Sequence, residues 1–145
     1  MKQRIKRLDK NKPSRSLTKI IIIKVFPVIA FLVAGFLLVP YGSMYFQNNK
    51  VANVNTKAEA ILFYNANCSH CQKVYPKIFW HNVLNFNNES NRIQTINVQN
   101  ANNKHYLVDF AIQSTPTFMK TTNINQRLVS TNSQQIKQFI QTGGH

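Results

Sequence analysis

The fold of this 145-residue chain is decided by one segment, residues 60–71, which reads AILFYNANCSHC. Its first part, Ala60 to Tyr64, is a continuous apolar run, which is typical of a short strand buried on both faces. Its second part holds the only two cysteines of the chain, Cys68 and Cys71. A helical pattern begins between them. The segment therefore predicts a buried strand, a turn that carries two thiols, and a helix.

The spacing of the two cysteines suits redox chemistry. A thiol at a helix N-terminus faces unpaired backbone amides and the positive end of the helix dipole, and both stabilise a thiolate. With two residues between them, Cys71 lies one turn along and can attack a mixed disulfide formed on Cys68. Protonated His70 would add a nearby positive charge. The pattern predicts Cys68 and Cys71 as catalytic residues, with Ser69 and His70 between them as redox-tuning residues.

Three roles without redox turnover stay open for the cysteine pair but are weaker. A structural disulfide that closes so short a loop restrains the unfolded chain little. A zinc site needs two more ligands, and His81, His105 and His145 show no ligand spacing, so no metal is predicted. Two inert thiols would be unusual in an oxidising compartment. Redox activity is the leading interpretation.

The residues after the pair alternate between helix-like and strand-like patterns. Helices are predicted for Ser69–Phe86, Asn102–Ile112 and Ser133–Gln141, and further strands for Ile93–Val98, Thr117–Thr121 and Arg127–Ser130. This order favours an α/β fold with a mixed sheet flanked by helices. The four glycines all lie outside this part of the chain. A glycine-rich phosphate loop or dinucleotide fingerprint is therefore excluded.

Two proline motifs give the chain a specific resemblance. Pro76 follows Cys71 by five residues, and residues 114–118 read STPTF. Over roughly residues 59–141 the chain resembles the thioredoxin superfamily. The resemblance implies that Cys68 is the nucleophile and Cys71 the resolving thiol. It also implies that Pro116 is a cis-proline which, with Thr115 before it, contacts the substrate backbone. No cofactor is implied beyond the redox-active disulfide Cys68-Cys71.

The chain departs from thioredoxin itself at several positions. Asn67 stands where thioredoxin usually has tryptophan, and Leu62 stands where it has a buried acid that is thought to relay protons. His70 is closer to the secreted, oxidising members of the DsbA kind. Their large helical insertion has no room between Gln99 and Ser114. The resemblance therefore implies a minimal thioredoxin-like fold without the first strand and helix of the long form, and oxidase or isomerase behaviour is favoured.

An apolar segment precedes this domain. No charged residue occurs from Val25 to Phe46, and about 22 residues at about 1.5 Å each cover roughly 33 Å, enough for a single-pass transmembrane helix. A cleaved signal peptide would need small residues before the cut, and the candidates after Leu38 are poor. A retained signal-anchor is therefore favoured.

Charge predicts the direction of this segment. Nine of the 18 basic residues precede it, namely Lys2, Arg4, Lys6, Arg7, Lys10, Lys12, Arg15, Lys19 and Lys24. Such an asymmetry favours a cytoplasmic N-terminus and an extracytoplasmic domain. The predicted organisation is a basic tail at 1–24, an anchor at 25–46, a tether at 47–58, the thioredoxin-like domain at 59–141 and a C-terminal tail at 142–145.

The predicted partners follow from this location. We expect exported cysteine-containing proteins or peptides as substrates and a membrane redox partner. A reductase fed by a membrane electron carrier is the nearest alternative. A binding module that holds a client without redox turnover is another, since small anchored proteins of this sort accompany export of cysteine-containing peptides, including bacteriocins, in Gram-positive bacteria. No basic stripe with interleaved aromatic residues is present, and nucleic-acid binding is not predicted.

Overall fold

The computed structural model describes residues 19, 21–47, 50 and 52–142. The chain divides into two compact units, Met1–Leu37 and Leu38–His145. Most of the predicted basic tail lies outside the described residues, as do residues 143–145 of the predicted C-terminal tail.

One long apolar helix occupies the N-terminal part of the described chain. A π-helical turn, Ile21–Val25, leads into α1, Phe26–Phe46. Among the described residues, Ile21–Phe46 is the one helix long and apolar enough to cross a membrane. The predicted anchor lies within it.

The second unit is built on a four-stranded mixed sheet. Its strands are β1 (Ala60–Tyr64), β2 (Ile93–Asn97), β3 (Thr117–Lys120) and β4 (Arg127–Val129). They lie in the order β2-β1-β3-β4. The β1 and β2 strands pair in parallel, and the other two pairs are antiparallel. This confirms the predicted α/β class, and each strand lies where the apolar pattern placed it.

Three helices follow the first strand. They are α2 (Ser69–Leu84), α3 (His105–Asp109) and α4 (Ser133–Gln141). Two 3₁₀ turns, Glu89–Asn91 and Ala101–Asn103, precede β2 and α3. Asn132 caps α4, because its side chain accepts hydrogen bonds from the amides of Gln134 and Gln135.

The helix predicted over residues 102–112 is shorter in the structure. Its first residues form the 3₁₀ turn, in which the Asn100 side chain accepts from the amide of Asn102 at 2.9 Å. Such a local side-chain bond competes with helix formation. Ala111 then adopts a φ of 46°, which ends the helical backbone. The predicted helix is therefore present at His105–Asp109, but it is shorter than predicted at both ends.

The sheet has a buried layer on each face, which explains the continuous apolar run of β1. Alternate residues of that strand point to opposite faces. One layer contains Leu62 and Tyr64 together with Val74, Ile78, Phe118 and Ile136. The other contains Ile61 and Phe63 together with Ile96, Ile112 and Met119. All five residues of β1 are buried.

The last turns of α1 and the predicted tether both contact this domain. Met44 is fully buried in the first core layer, and its carbonyl accepts a hydrogen bond from the Tyr64 hydroxyl at 3.1 Å. Further along, Gln94 of β2 accepts from the amide of Asn55 at 2.7 Å and donates to the carbonyl of Asn53. The described part of residues 47–58 therefore lies against the edge strand β2. The hydrogen bonds between Asn53, Asn55 and Gln94 involve a polar side chain, and such contacts cannot be predicted from the apolar periodicity of the sequence.

Candidate redox site

The Cys68 thiol lies at the N-terminus of α2. Cys68 is the N-cap residue, with an extended backbone, and its carbonyl accepts from the amide of Gln72 at 3.0 Å. The turn from β1 is closed by the amide of Cys68, which donates to the carbonyl of Asn65 at 3.0 Å. The end of β1 and the start of α2 thus hold the first cysteine at the carboxyl end of the central strand.

The two thiols differ in exposure. Both are free, but Cys68 is partly exposed and Cys71 is only 1% exposed. Cys71 belongs to the first core layer, and the amide of Asn65 donates to its Sγ at 3.5 Å. Only Cys68 presents its sulfur to another molecule.

The proline loop meets the first cysteine. The Thr115-Pro116 peptide bond is cis, as the sequence predicted. Thr117, the first residue of β3, pairs with Phe63 of β1, so the start of β3 lies beside the end of β1. The Cys68 Sγ donates to the Thr115 carbonyl at 3.6 Å.

The surroundings of Cys68 favour its thiolate. Burial raises the pKa of this thiol, but the opposing interactions are larger together, and its pKa lies below the usual value. The amide and side chain of Cys71, the amide of His70 and the side chain of Thr115 all lower it. No capping hydrogen bond forms to Sγ in the thiol state. The helix N-terminus therefore acts mainly on the anion, as its unpaired amides and dipole require.

The surroundings of Cys71 have the opposite effect. Burial is the main cause that raises the pKa of Cys71 to about 11, and a negative charge on Cys68 contributes to that rise. The amide of Asn65 and the side chain of Thr115 oppose it. Cys71 is therefore a neutral thiol at pH 7.

Among the described residues, no aspartate or glutamate is fully buried, and none contributes to the pKa of Cys71. Leu62 is fully buried in the core layer that contains Cys71, at the position where thioredoxin usually has an acid. The buried ion pair of the domain is elsewhere. Lys120 Nζ lies 2.5 Å from Glu59 Oε1, at the opposite end of β1, where Ala60 pairs with Lys120.

The remaining predicted residues occupy the exposed rim or lie elsewhere. Ser69 and His70 are both exposed on the first turn of α2, and Pro76 lies inside that helix. His81 bonds to the carbonyl of Asn91 at 2.7 Å, away from the thiols. Within the part of the chain that the structure describes, no three potential metal ligands form a group.

A cavity next to the proline loop was not predicted from the sequence. Its volume is about 390 Å³, and its lining includes Thr115, Asn65, Gln99, Lys104 and Leu107. Asn65 could have been recognised because it directly follows the buried strand, at the edge where the cysteines are placed. The sequence around Gln99 and Lys104 does not indicate a binding role, because only the folded sheet brings these residues beside Thr115.

Comparison with known proteins agrees with this geometry. The Thioredoxin family matches residues 43–142, well over half of the chain. Comparisons with curated proteins and with solved structures gave no match. The match begins at Ser43, within the last turns of α1 that contact the domain, and it includes both cysteines and the cis-proline loop. Thiol–disulfide redox chemistry is the general function of such a domain, and this chain belongs to the thioredoxin family.

Proposed function

We propose that this protein is a membrane-anchored oxidoreductase that forms or exchanges disulfides in exported proteins through Cys68 and Cys71. The observation that carries the proposal is the asymmetry of the two thiols. One is partly exposed with a lowered pKa, and the other is buried with a pKa of about 11. This asymmetry gives the two sulfurs different roles.

Disulfide formation starts from the oxidised pair. A substrate thiolate attacks Cys68 Sγ, the Cys68–Cys71 bond breaks, and Cys71 leaves as a thiolate that takes up a proton. A second substrate thiolate then attacks the substrate sulfur of the mixed disulfide. Cys68 leaves as a thiolate, the substrate gains a disulfide, and the protein pair gains two electrons. The lowered pKa of Cys68 makes it a good leaving group in this second step.

The missing acid favours this direction over reduction. A reductase must use Cys71 to resolve the mixed disulfide, and Cys71 must first lose its proton. Its pKa is about 11 and no carboxylate among the described residues contributes to it, so Cys71 forms little thiolate at pH 7. In the oxidising direction the substrate supplies the resolving thiolate, and no proton has to be removed from Cys71. Cys71 is then the leaving group of the first step, and its high pKa makes it a poorer leaving group than Cys68.

The cis-proline loop supports binding of an extended substrate segment. Thr115 and Pro116 lie beside the reactive sulfur, and the cavity lined by Gln99 and Lys104 opens next to them. We assign Thr115 and Pro116 to substrate binding. A side chain next to the substrate cysteine would enter the cavity.

The extracytoplasmic location is supported by the apolar helix and by the charge asymmetry. The helix is long enough to cross a bilayer. Half of the basic residues precede it, which favours a cytoplasmic N-terminus.

Trapping of a mixed disulfide tests the proposal. In Cys71→Ser, Cys68 can still attack a client disulfide, but no second thiol of the protein resolves the product. We expect disulfide-linked clients on non-reducing gels of membranes from cells that express C71S, and none with Cys68→Ser. Full cellular function of C68S would contradict catalysis and favour a binding module without turnover.

The reduction potential of the native pair, measured against glutathione, distinguishes an oxidase from a reductase, since a value near that of thioredoxin would contradict the oxidising direction.

A further inference from the structure

The C-terminal end of α2 exposes an apolar surface that the redox site does not use. Val83, Leu84 and Phe86 are 42%, 83% and 68% exposed, and we call these three residues the distal patch. Trp80 lies one turn before Leu84 and packs edge-on against Phe79, with ring centroids 5.1 Å apart. Clustered exposed apolar side chains of this kind mark contact surfaces.

The distal patch lies far from the cysteines. The α2 helix starts beside Cys68 and has 16 residues, so its last turn is roughly 24 Å from its first residue at about 1.5 Å per residue. The patch therefore belongs to the end of the domain opposite to the redox site.

Two hydrogen bonds give the direction of the last turns of α1 relative to α2. Ser43 Oγ is 3.2 Å from the Tyr75 hydroxyl, and Gln72 Nε2 donates to the Tyr45 hydroxyl at 3.3 Å. Ser43 of α1 thus contacts Tyr75 of α2, and Tyr45, two residues later on α1, contacts the earlier residue Gln72 of α2. The two helices therefore run antiparallel here. Moving back from Tyr45 along α1 therefore leads toward the C-terminal end of α2.

One cavity is lined both by the end of α1 and by residues of the distal patch. A cavity of about 540 Å³ is lined by Ser43 as well as by Phe79, Val83 and Phe86. On α1, Pro40 and Met44 are buried, four residues apart on one face. These turns are part of the domain, and Ser43 lines the same cavity as Val83 and Phe86 of the patch.

The length of the apolar segment places a membrane boundary near these turns. Pro40 and Met44 are buried in the domain, so the span runs from Ile21, before the predicted start at Val25, and Lys24 extends its side chain back to the inner interface. About 19 residues then precede Pro40, which corresponds to roughly 28 Å, close to the thickness of a hydrocarbon core. Tyr41 and Tyr45 are partly exposed and would lie in the aromatic belt of that interface.

We propose that the distal patch contacts the outer surface of the bilayer in which α1 is anchored. This inference rests on the proposed membrane anchoring. Val83, Leu84 and Phe86 insert among the phospholipid headgroups and upper acyl chains, as apolar side chains of interfacial helices do. The lipid contact is assigned to these three apolar side chains, and the adjoining cavity is lined by charged side chains of both signs, Lys50, Glu89 and Arg92. The cysteine pair consequently faces away from the membrane.

Trp80 is the only tryptophan of the chain, so its fluorescence reports on this end of the domain alone. We suggest reconstituting the full chain into phosphatidylcholine vesicles, with and without lipids brominated near the headgroup end of the acyl chains. Flotation with the vesicles establishes anchoring first, and protease accessibility establishes that the domain is outside. We expect brominated lipids to quench Trp80 strongly and external iodide to quench it weakly.

Two variants make the test specific. L84S/F86S should reverse the pattern, with several-fold stronger iodide quenching and little quenching by brominated lipid. The matched control Val129→Ser should behave like the native chain, because this 60% exposed side chain pairs with Thr117 at the redox end of the sheet.

Three results would overturn the inference. If the chain floats with the vesicles but brominated lipid does not quench Trp80, the anchor is supported and the contact between the patch and lipid is refuted. Protection from iodide without lipid quenching would show that Trp80 is shielded by protein and not by lipid, which contradicts the contact. A chain that does not float would refute the membrane anchoring as well. Mixed-disulfide trapping by Cys71→Ser is measured separately, so failure of the lipid contact is distinguishable from failure of the redox function.

Discussion

At the scale of single residues, Thr115 connects the two sulfurs of the site. Its carbonyl accepts from the Cys68 thiol, and its side chain lowers the pKa of both cysteines. The predicted tuning residues Ser69 and His70 are exposed, and the amide of His70 lowers the pKa of Cys68. A tuning role for the His70 imidazole stays a prediction.

The pH dependence of alkylation tests the role of Thr115. The thiolate is the reactive form, so the rate at which iodoacetamide modifies Cys68 should rise through a pKa below that of an ordinary thiol. Cys71 should stay unmodified at neutral pH, because it is buried and its pKa is about 11. In Thr115→Val the side-chain interaction that lowers the Cys68 pKa is lost. We expect the profile to move to higher pH and the rate at pH 7 to fall several-fold.

Ser114→Ala is the matched control, since it removes a neighbouring hydroxyl and keeps the carbonyl that accepts from Thr117. Its profile should follow that of the native protein. An unchanged profile in T115V would show that the backbone amides of α2 and the Cys71 side chain lower the Cys68 pKa without Thr115.

At the scale of elements, the edge strand β2 is covered by a segment without secondary structure. The 3₁₀ turn Ala101–Asn103 contributes the main contact. The Asn103 side chain donates to the carbonyls of Lys50 and Asn97 at 2.9 and 3.1 Å, and it accepts from the amide of Ala52 at 3.0 Å. The buried side-chain amide of Asn103 thus makes hydrogen bonds at the edge of the sheet, where β2 has no further strand beside it.

We predict that Asn103→Ala lowers the free energy of unfolding by about 2 kcal/mol, because it leaves the buried Asn97 carbonyl and the partly buried backbone groups of Lys50 and Ala52 without their partner. Urea unfolding of the full chain in mild detergent, followed by far-UV circular dichroism, measures this. Asn102→Ala provides the comparison, since that side chain is exposed. Equal midpoints for the two variants would show that the segment does not stabilise the sheet edge.

At the scale of the whole molecule, the end of α1 is part of the thioredoxin-like unit. Met44 is fully buried in its core, and the Tyr64 hydroxyl donates to the Met44 carbonyl and to Gln47 Oε1, each at 3.1 Å. Thr95 of β2 donates to the same Gln47 oxygen at 3.1 Å. One amide oxygen therefore links the helix end to two strands.

Tyr64→Phe should loosen this junction while keeping the ring in the core. We expect trypsin to cut after Lys50 and Lys57 several-fold faster than in the native chain, with the fragments identified by mass spectrometry. Tyr45→Phe should have little effect, because Tyr45 is exposed and its hydroxyl bonds to the surface side chain of Gln72. Native resistance in Y64F would show that apolar packing of Met44 suffices to hold the helix end.

Local patterns were enough to predict much of this protein. The buried strand and the cysteine pair at a helix N-terminus depend on residues close together in the sequence. The apolar length of α1 is equally local. Backbone propensity and side-chain alternation act over a few residues, and so the fold class followed from the sequence. The cis bond before Pro116 was implied by the resemblance to the thioredoxin superfamily.

Long-range contacts decided the rest. Tertiary structure brings Asn65 to the buried sulfur, places Met44 inside the core and covers the edge of β2 with a polar segment through Asn103. It also raises the pKa of Cys71, because burial depends on what packs around a residue and not on its neighbours in sequence. The sequence by itself determined which residues carry the chemistry. Only packing across the sheet decided which sulfur is accessible, how each one ionises and where the helix joins the domain.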